Sequence, residues 1–235
     1  MINEYSFVFD VDGTLTPSRQ RIDEGFRIWL TEWIKRNKVY LVTGSDYPKT
    51  VEQLGTEVCE SVLMSFNCCG NSRWQGGVET YTSSCKLDDD AYNWLEQQLA
   101  KSKFPLRTGR HIEERTGLTN FSIVGRNCTL KERKLYVAWD QDKRERDRIS
   151  LLFNKKFEKY TSSVAGETGL DIYIKGQDKG QVYDLIDKPV IFFGDKTMPG
   201  GNDFALADRC TGEDDLVYPI SNWEDTANIL QAYYG

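Results

Sequence analysis

The chain has 235 residues and is 39% hydrophobic, enough to fill one large domain or a catalytic core with a smaller inserted domain. Its formal net charge of -6 argues against broad phosphate-backbone binding, which needs a basic surface, so nucleic acid is not an expected partner. No run approaches the roughly 20 apolar residues of a membrane span, and no opening segment pairs a basic start with an apolar stretch and a cleavage site, so a cytoplasmic location away from membranes is expected.

Tyr5–Phe9 is a short aromatic and β-branched run that ends in Asp10 and Asp12. Ile22, Phe26, Trp29, Leu30, Trp33 and Ile34 then recur at three- and four-residue spacing, the apolar stripe of a helix, with Trp29 and Trp33 expected in the core. Val39–Thr43 is a second strand-like run, leading into Gly44-Ser45-Asp46. Strand, helix, strand in this order implies a right-handed crossover between parallel strands. A third apolar run spans Val62–Phe66 and a fourth Val190–Phe193, the last running into Gly194-Asp195. Sites in open parallel sheets form at the carboxyl ends of strands, so Asp10, Asp12, Ser45 and Asp195 are expected to converge.

Between about Tyr81 and Gln177 the pattern changes. Helical stretches (Asp89–Lys101, Leu130–Tyr160) alternate with short strand-like runs (His111–Arg115, Thr119–Val124, Leu170–Ile174) that lack acidic loops behind them. This reads as an inserted α+β domain over 81–177, with the core discontinuous over 1–80 and 178–235. The charge density of Leu130–Tyr160 predicts an exposed helical face. The six cysteines show no paired metal-ligand spacing and are expected to be reduced. His111 is the only histidine, which excludes histidine-pair chemistry.

Two aspartates two residues apart at a strand end point to the same side of the chain. One carboxylate, Asp10, can attack phosphorus, while Asp12 serves as general acid and base toward the departing and arriving oxygens. The negative charge of carboxylate and phosphate meeting requires a hard cation, for which Asp195 is a natural ligand beside Asp10. Thr14 and Ser45 offer hydroxyl donors to phosphoryl oxygens, and Lys179 a fixed positive charge. Asp46, Asn202 and Asp203 remain open as metal ligands, supporting partners or turn residues. The arginines of the insert, Arg107, Arg110, Arg115, Arg126 and Arg133, suggest a grip for a second phosphate.

Asp10-Val-Asp-Gly-Thr-Leu-Thr16, Gly44-Ser45-Asp46, Glu113–Gly117 with Gly125–Cys128, and Phe192-Phe-Gly-Asp-Lys-Thr-Met-Pro-Gly-Gly-Asn-Asp203 resemble the eukaryotic-type phosphomannomutase family of the haloacid dehalogenase superfamily. The resemblance implies an α/β fold with a haloacid dehalogenase-like Rossmannoid core, a parallel sheet and an inserted α+β cap. It implies interconversion of mannose 6-phosphate and mannose 1-phosphate through an aspartyl phosphate on Asp10, with Mg2+, a hexose 1,6-bisphosphate activator and a homodimer formed through the cap. The alternative on the same scaffold is a sugar-phosphate phosphatase; a non-catalytic scaffold would not need Asp10, Asp12, Lys179 and Asp195 together.

By the same resemblance Asp10, Asp12, Ser45 and Lys179 are catalytic, and Arg19, Arg115, Arg126, Arg133, Gly169 and Asp171 face the hexose phosphate. Asp10, Asp12 and Asp195 hold the metal, with Asp208 and Thr211 in a second cation loop. Three departures stand out: Gly169 occupies the place of a substrate-contacting serine, Cys68-Cys69-Gly70 replaces a Glu-Asn-Gly turn, and Thr116 replaces an asparagine.

Overall fold

In the computed structural model, which describes residues 4–235, strand β1 (Ser6–Phe9) is buried along its whole length. Helix α1 (Glu24–Ile34) starts where Asp23 accepts a hydrogen bond from the Phe26 amide, and it buries Phe26, Leu30, Trp33 and Ile34. Trp33 meets Phe7 edge-on at 4.8 Å, and partly buried Trp29 packs against the same cluster, so both tryptophans belong to the core as expected. β2 (Lys38–Val42), the short helices α2 (Tyr47–Leu54) and α3 (Thr56–Ser61), and β3 (Met64–Asn67) follow. The apolar runs of β1 and β2 are continuous rather than alternating because both faces of a parallel sheet are covered. A hairpin of β4 (Ser72–Gln75) and β5 (Val78–Thr82), unforeseen in the sequence, adds an antiparallel edge to β3. Tyr81 therefore lies in this sheet.

The middle of the chain begins with α4 (Asp89–Lys101), capped by Asp88, then the antiparallel pair β6 (Ile112–Arg115) and β7 (Leu118–Phe121). The stretch expected to be one long helix from Leu130 to Tyr160 is two. α5 (Leu130–Lys143) opens with a capping box between Thr129 and Glu132 and ends at Arg144, whose φ of 50° and ψ of 38° are left-handed. α6 (Glu145–Lys156) starts immediately after it, and Tyr160 begins β8 (Tyr160–Ala165). With β9 (Gly169–Ile174) these strands form a four-stranded sheet in the order β6–β7–β9–β8. Phe121, Leu170, Ile172 and Tyr160 on one face join Tyr136, Ile149 and Phe153 of the helices in a separate core.

The chain then returns through a 3-10 helix, Lys179–Leu185, to β10 (Val190–Gly194), α7 (Phe204–Arg209), β11 (Leu216–Pro219) and α8 (Trp223–Tyr233). The larger sheet has the order β11–β10–β1–β2–β3–β4–β5, with its first five strands parallel. This is the expected α/β architecture. The chain divides into two compact units, one ending at Thr82 and resuming at Gly176, the other Ser83–Lys175. No helix among the described residues is long and apolar enough to cross a membrane.

Candidate active site

β1 and β10 are neighbours in register, so their C-terminal ends deliver Asp10 and Asp195 to the same edge of the larger sheet. Behind Asp10 the chain turns at once: the amides of Thr14, Leu15 and Thr16 all donate to the Val11 carbonyl, and Gly13 sits at φ 88°. Glycine is required there, because a Cβ would fall 2.6 Å from Asp195 Oδ2. Lys179, the first residue of the 3-10 helix, is fully buried and places Nζ 2.5 Å from Asp10 Oδ1 and 2.6 Å from Asp203 Oδ1. Thr14 Oγ1 lies 3.2 Å from the other oxygen of Asp10, and Asp203 Oδ2 accepts the Lys196 amide.

Burial pushes the Asp10 carboxyl up to about 6 despite the attraction of Lys179, and the Asp203 carboxylate adds to the rise. Burial alone would discharge Lys179; the carboxylates of Asp10 and Asp203 outweigh it and hold the ammonium above its ordinary value. Asp195 is also raised by burial, which Lys196 partly offsets.

Carboxylate oxygens of Asp10, Asp195 and Asp203 lie within 4.8 Å of one another. Asp195 Oδ1 is buried with no partner among the described residues. An all-oxygen donor set with an orphaned buried carboxylate oxygen fits a hard divalent cation. Asp203 has both oxygens engaged, by Lys179 and by the Lys196 amide, so its chief structural role is to anchor the lysine. Asp12, also expected at this metal, is not part of the cluster. Asp12 Oδ1 is occupied by the Arg19 amide at 2.6 Å and Gln53 Nε2 at 2.9 Å. Asp208 and Thr211, expected in a second cation loop apart from this cluster, are exposed at the end of α7 and just beyond it.

Burial works against the Asp12 charge, but the Arg19 amide and the Gln53 side chain hold its carboxyl below the ordinary value. Gln53 was not foreseen: a glutamine on an amphipathic helix has no signature separating it from a surface residue. Ser45 is half-buried just beyond β2; its amide donates to Thr43 Oγ1 and its carbonyl accepts the Cys68 amide. Asp46 caps α2 through the Lys49 amide, a turn-residue role. All six cysteines are free, and burial raises the Cys69 thiol beside Lys179.

In the smaller unit the face of the sheet opposite its core is polar. Register aligns Glu113, Asn120, Asp171 and Ser163 across the four strands. Arg115 and Arg126 converge on Glu113 Oε2, at 2.5 and 3.1 Å. Arg115 first, then burial and the other arginines, set the balance that keeps the Glu113 carboxyl below its usual range. Arg133 pairs with Glu167 at 3.2 Å. Arg107 belongs elsewhere: its guanidinium donates to the carbonyls of Leu99, Ser102, Phe104 and Leu106, closing the end of α4. His111 bonds the Ser122 carbonyl, a structural role. Arg19 is exposed and has a left-handed φ of 61°.

A mostly parallel sheet with carboxylates gathered at its C-terminal edge, interrupted by an α+β segment, is the organisation of haloacid dehalogenase-fold proteins. Solved structures agree on the fold: a haloacid dehalogenase-like hydrolase from Bacteroides thetaiotaomicron superposes with TM-score 0.60 at 13% identity, covering 97% of this chain and 98% of that one. An IMP-nucleotidase of Plasmodium falciparum gives TM-score 0.57 at 16% identity, over 97% of this chain and 67% of that one.

The model of the eukaryotic phosphomannomutase family matches residues 26–234. Phosphomannomutase of Saccharomyces cerevisiae is 32% identical over 235 residues, spanning 95% of this chain and 91% of that protein. Phosphomannomutase 1 of Homo sapiens is 33% identical over 228 residues, 90% and 87% of the two chains. The chain belongs to the eukaryotic phosphomannomutase family, and family and acidic cluster together imply a divalent metal.

Proposed function

We propose that the protein is a phosphomannomutase, interconverting mannose 6-phosphate and mannose 1-phosphate through a phosphorylated Asp10 and a hexose 1,6-bisphosphate. Within that family the observation that carries the chemistry is the buried Asp10–Lys179–Asp203 chain beside Asp195. Lys179 and Thr14 fix the Asp10 carboxylate from its two oxygens, so the nucleophile is oriented before substrate arrives. Asp10 attacks the phosphorus of the bisphosphate, the bond from phosphorus to the sugar oxygen breaks, and Asp12, carrying the proton it took from the accepting hydroxyl in the other half-reaction, gives that oxygen its proton. In the return step Asp12 takes the proton of the other hydroxyl as that oxygen accepts the phosphoryl group. Its Oδ1 is held by Arg19 and Gln53, which leaves Oδ2 for the proton.

Mg2+ held by Asp10 and Asp195 would supply charge neutralisation for the phosphoryl group. Ser45 and Lys179 stabilise the transferring phosphoryl oxygens. Arg19, Arg115, Arg126 and Arg133 bind the phosphate that is not being transferred, and Asp171 receives sugar hydroxyls. The smaller unit, Ser83–Lys175, serves as the cap, through which the protein forms a homodimer, and the enzyme works in the cytoplasm; sedimentation at micromolar concentration that gives only monomer would rule the dimer out.

A coupled assay for mannose 6-phosphate formed from mannose 1-phosphate, with bisphosphate and Mg2+, tests the reaction. Free phosphate as the sole product would replace the mutase by a phosphatase.

A further inference from the structure

We propose that Asn120 is the positioning residue that sets sugar discrimination, acting through Asp171, and that position 169 is a glycine because the Asn120 amide fills the space a side chain there would need. This rests on the reading of Asp171 as a sugar contact. Asn120 and Asp171 are register partners on β7 and β9. The Asn120 Nδ2 group donates to Asp171 Oδ1 at 2.7 Å and to the Leu170 carbonyl at 3.3 Å. Both partners are acceptors, which fixes which end of the amide is the nitrogen. The carboxylate of Asp171 is thereby held by one short bond from a residue that is itself only 4% exposed.

The other end of the amide is the second observation. Asn120 Oδ1 is buried and has no partner among the described residues. A buried acceptor left without a donor is costly, so the Asn120 amide is kept in this place by what its nitrogen holds, the Asp171 carboxylate and the Leu170 carbonyl. The half-buried carboxylate of Asp171 offers acceptors only, and acceptors suit the hydroxyl groups of a sugar rather than its phosphate. On the same sheet, Arg115 and Arg126 gather at Glu113 and carry the donors suited to the anion. The polar face is therefore divided by chemistry into a hydroxyl end and a phosphate end.

Gly169 completes the arrangement. It lies in β9 without a left-handed φ, so its backbone would accept any residue. The obstacle is steric: a Cβ at Gly169 would come within 2.6 Å of Asn120 Nδ2. A larger residue at 169 must displace the amide that holds Asp171.

The experiment is steady-state isomerisation of mannose 1-phosphate and glucose 1-phosphate, with bisphosphate and Mg2+ present, by the full chain and by Asn120→Ala, Gly169→Ser and the double variant. Asn120→Ala is expected to raise KM for the preferred hexose about tenfold with kcat within about threefold, and to bring the kcat/KM ratio of the two sugars about tenfold closer to unity. Gly169→Ser alone should do the same, by displacing the amide. In the double variant the introduced hydroxyl has room to donate to Asp171, and most of the KM loss should be recovered. Discrimination unchanged in Asn120→Ala, or a double variant no better than either single one, overturns the proposal. Asn120→Ser, which is too short to hold Asp171 from β7, gives the same readout if the alanine variant fails to fold. A wild type that isomerises neither sugar overturns the mutase reading and this inference with it; a wild type that isomerises them with insensitive variants overturns the inference alone.

Discussion

Asp10 carries the strongest commitment at the level of single residues. Asp10→Asn keeps the shape of the side chain and leaves Lys179 its partner Asp203, so the protein should fold while turnover falls about 10³-fold or more. Turnover within tenfold of wild type would remove Asp10 as nucleophile. Lys179→Met is a different kind of lesion. It leaves buried carboxylates facing one another without their cation, with an expected cost of about 3–5 kcal/mol at pH 7 in urea unfolding.

The direction of the Asp10 shift sets the pH dependence. Its carboxyl is raised from 3.8 in the unfolded chain to about 6 in the metal-free fold. The folded protein therefore holds this proton more tightly, and the associated stability is full below about 3.8 and lost as pH rises through about 6. The Lys179→Met penalty should accordingly be smaller at pH 5 than at pH 7. A divalent cation binding the ionised carboxylate must expel the proton, so affinity should climb with pH up to about 6 and flatten above it. Calorimetric titrations at pH 6 in buffers of different ionisation enthalpy would detect the released proton; identical heats in both buffers would contradict the assignment.

Among the elements, the break between α5 and α6 shows where periodic reading stops. The charged residues from Leu130 onward suit an exposed helix throughout, and the interruption is a single left-handed residue, Arg144, with no glycine or proline to announce it. What makes the break tolerable is tertiary. Asp140 of α5 accepts the Arg146 amide and pairs with the Arg146 guanidinium at 2.7 Å, both side chains nearly buried, and Arg146 continues to the carbonyls of Gly166 and Gly169. Asp140→Ala strands that guanidinium and should destabilise the smaller unit by about 3 kcal/mol, measured by thermal unfolding. Arg144→Gly relieves a left-handed side chain and loses only an exposed ion pair with Asp147, so it should be neutral or stabilising by up to about 1 kcal/mol.

Considered as a whole molecule, the chain holds separate hydrophobic cores, those of the larger unit on the two faces of its parallel sheet and that of the smaller unit under its antiparallel one. Perturbations should therefore separate in a calorimetric scan. Divalent cation should raise the transition of the unit carrying Asp10 and Asp195, while Asp140→Ala should lower the transition of the unit carrying α5. Equal shifts of a single transition by both would mean that the units unfold as one.

The apolar runs around Phe9, Val42 and Phe193, each ending in a polar loop, were legible because a parallel strand buried on both faces must be continuously hydrophobic and its site lies where it stops. Asp10, Ser45, Lys179 and Asp195 could thus be named as candidates from spacing and resemblance. Local sequence could not say which partner each polar group would find. Asp203 reaches Lys179 across 24 residues, Gln53 reaches Asp12 across 41, and Asn120 reaches Asp171 across 51. Those bonds are decided by strand order and register, which bring distant carboxylates and amides together in buried or partly buried places. Hydrophobic pattern and residue type in the sequence determined the parallel strands β1, β2, β3 and β10 and the kind of chemistry at their ends; only the tertiary structure decided which side chains hold one another there, because a buried charge or amide must be satisfied by whatever the fold places beside it.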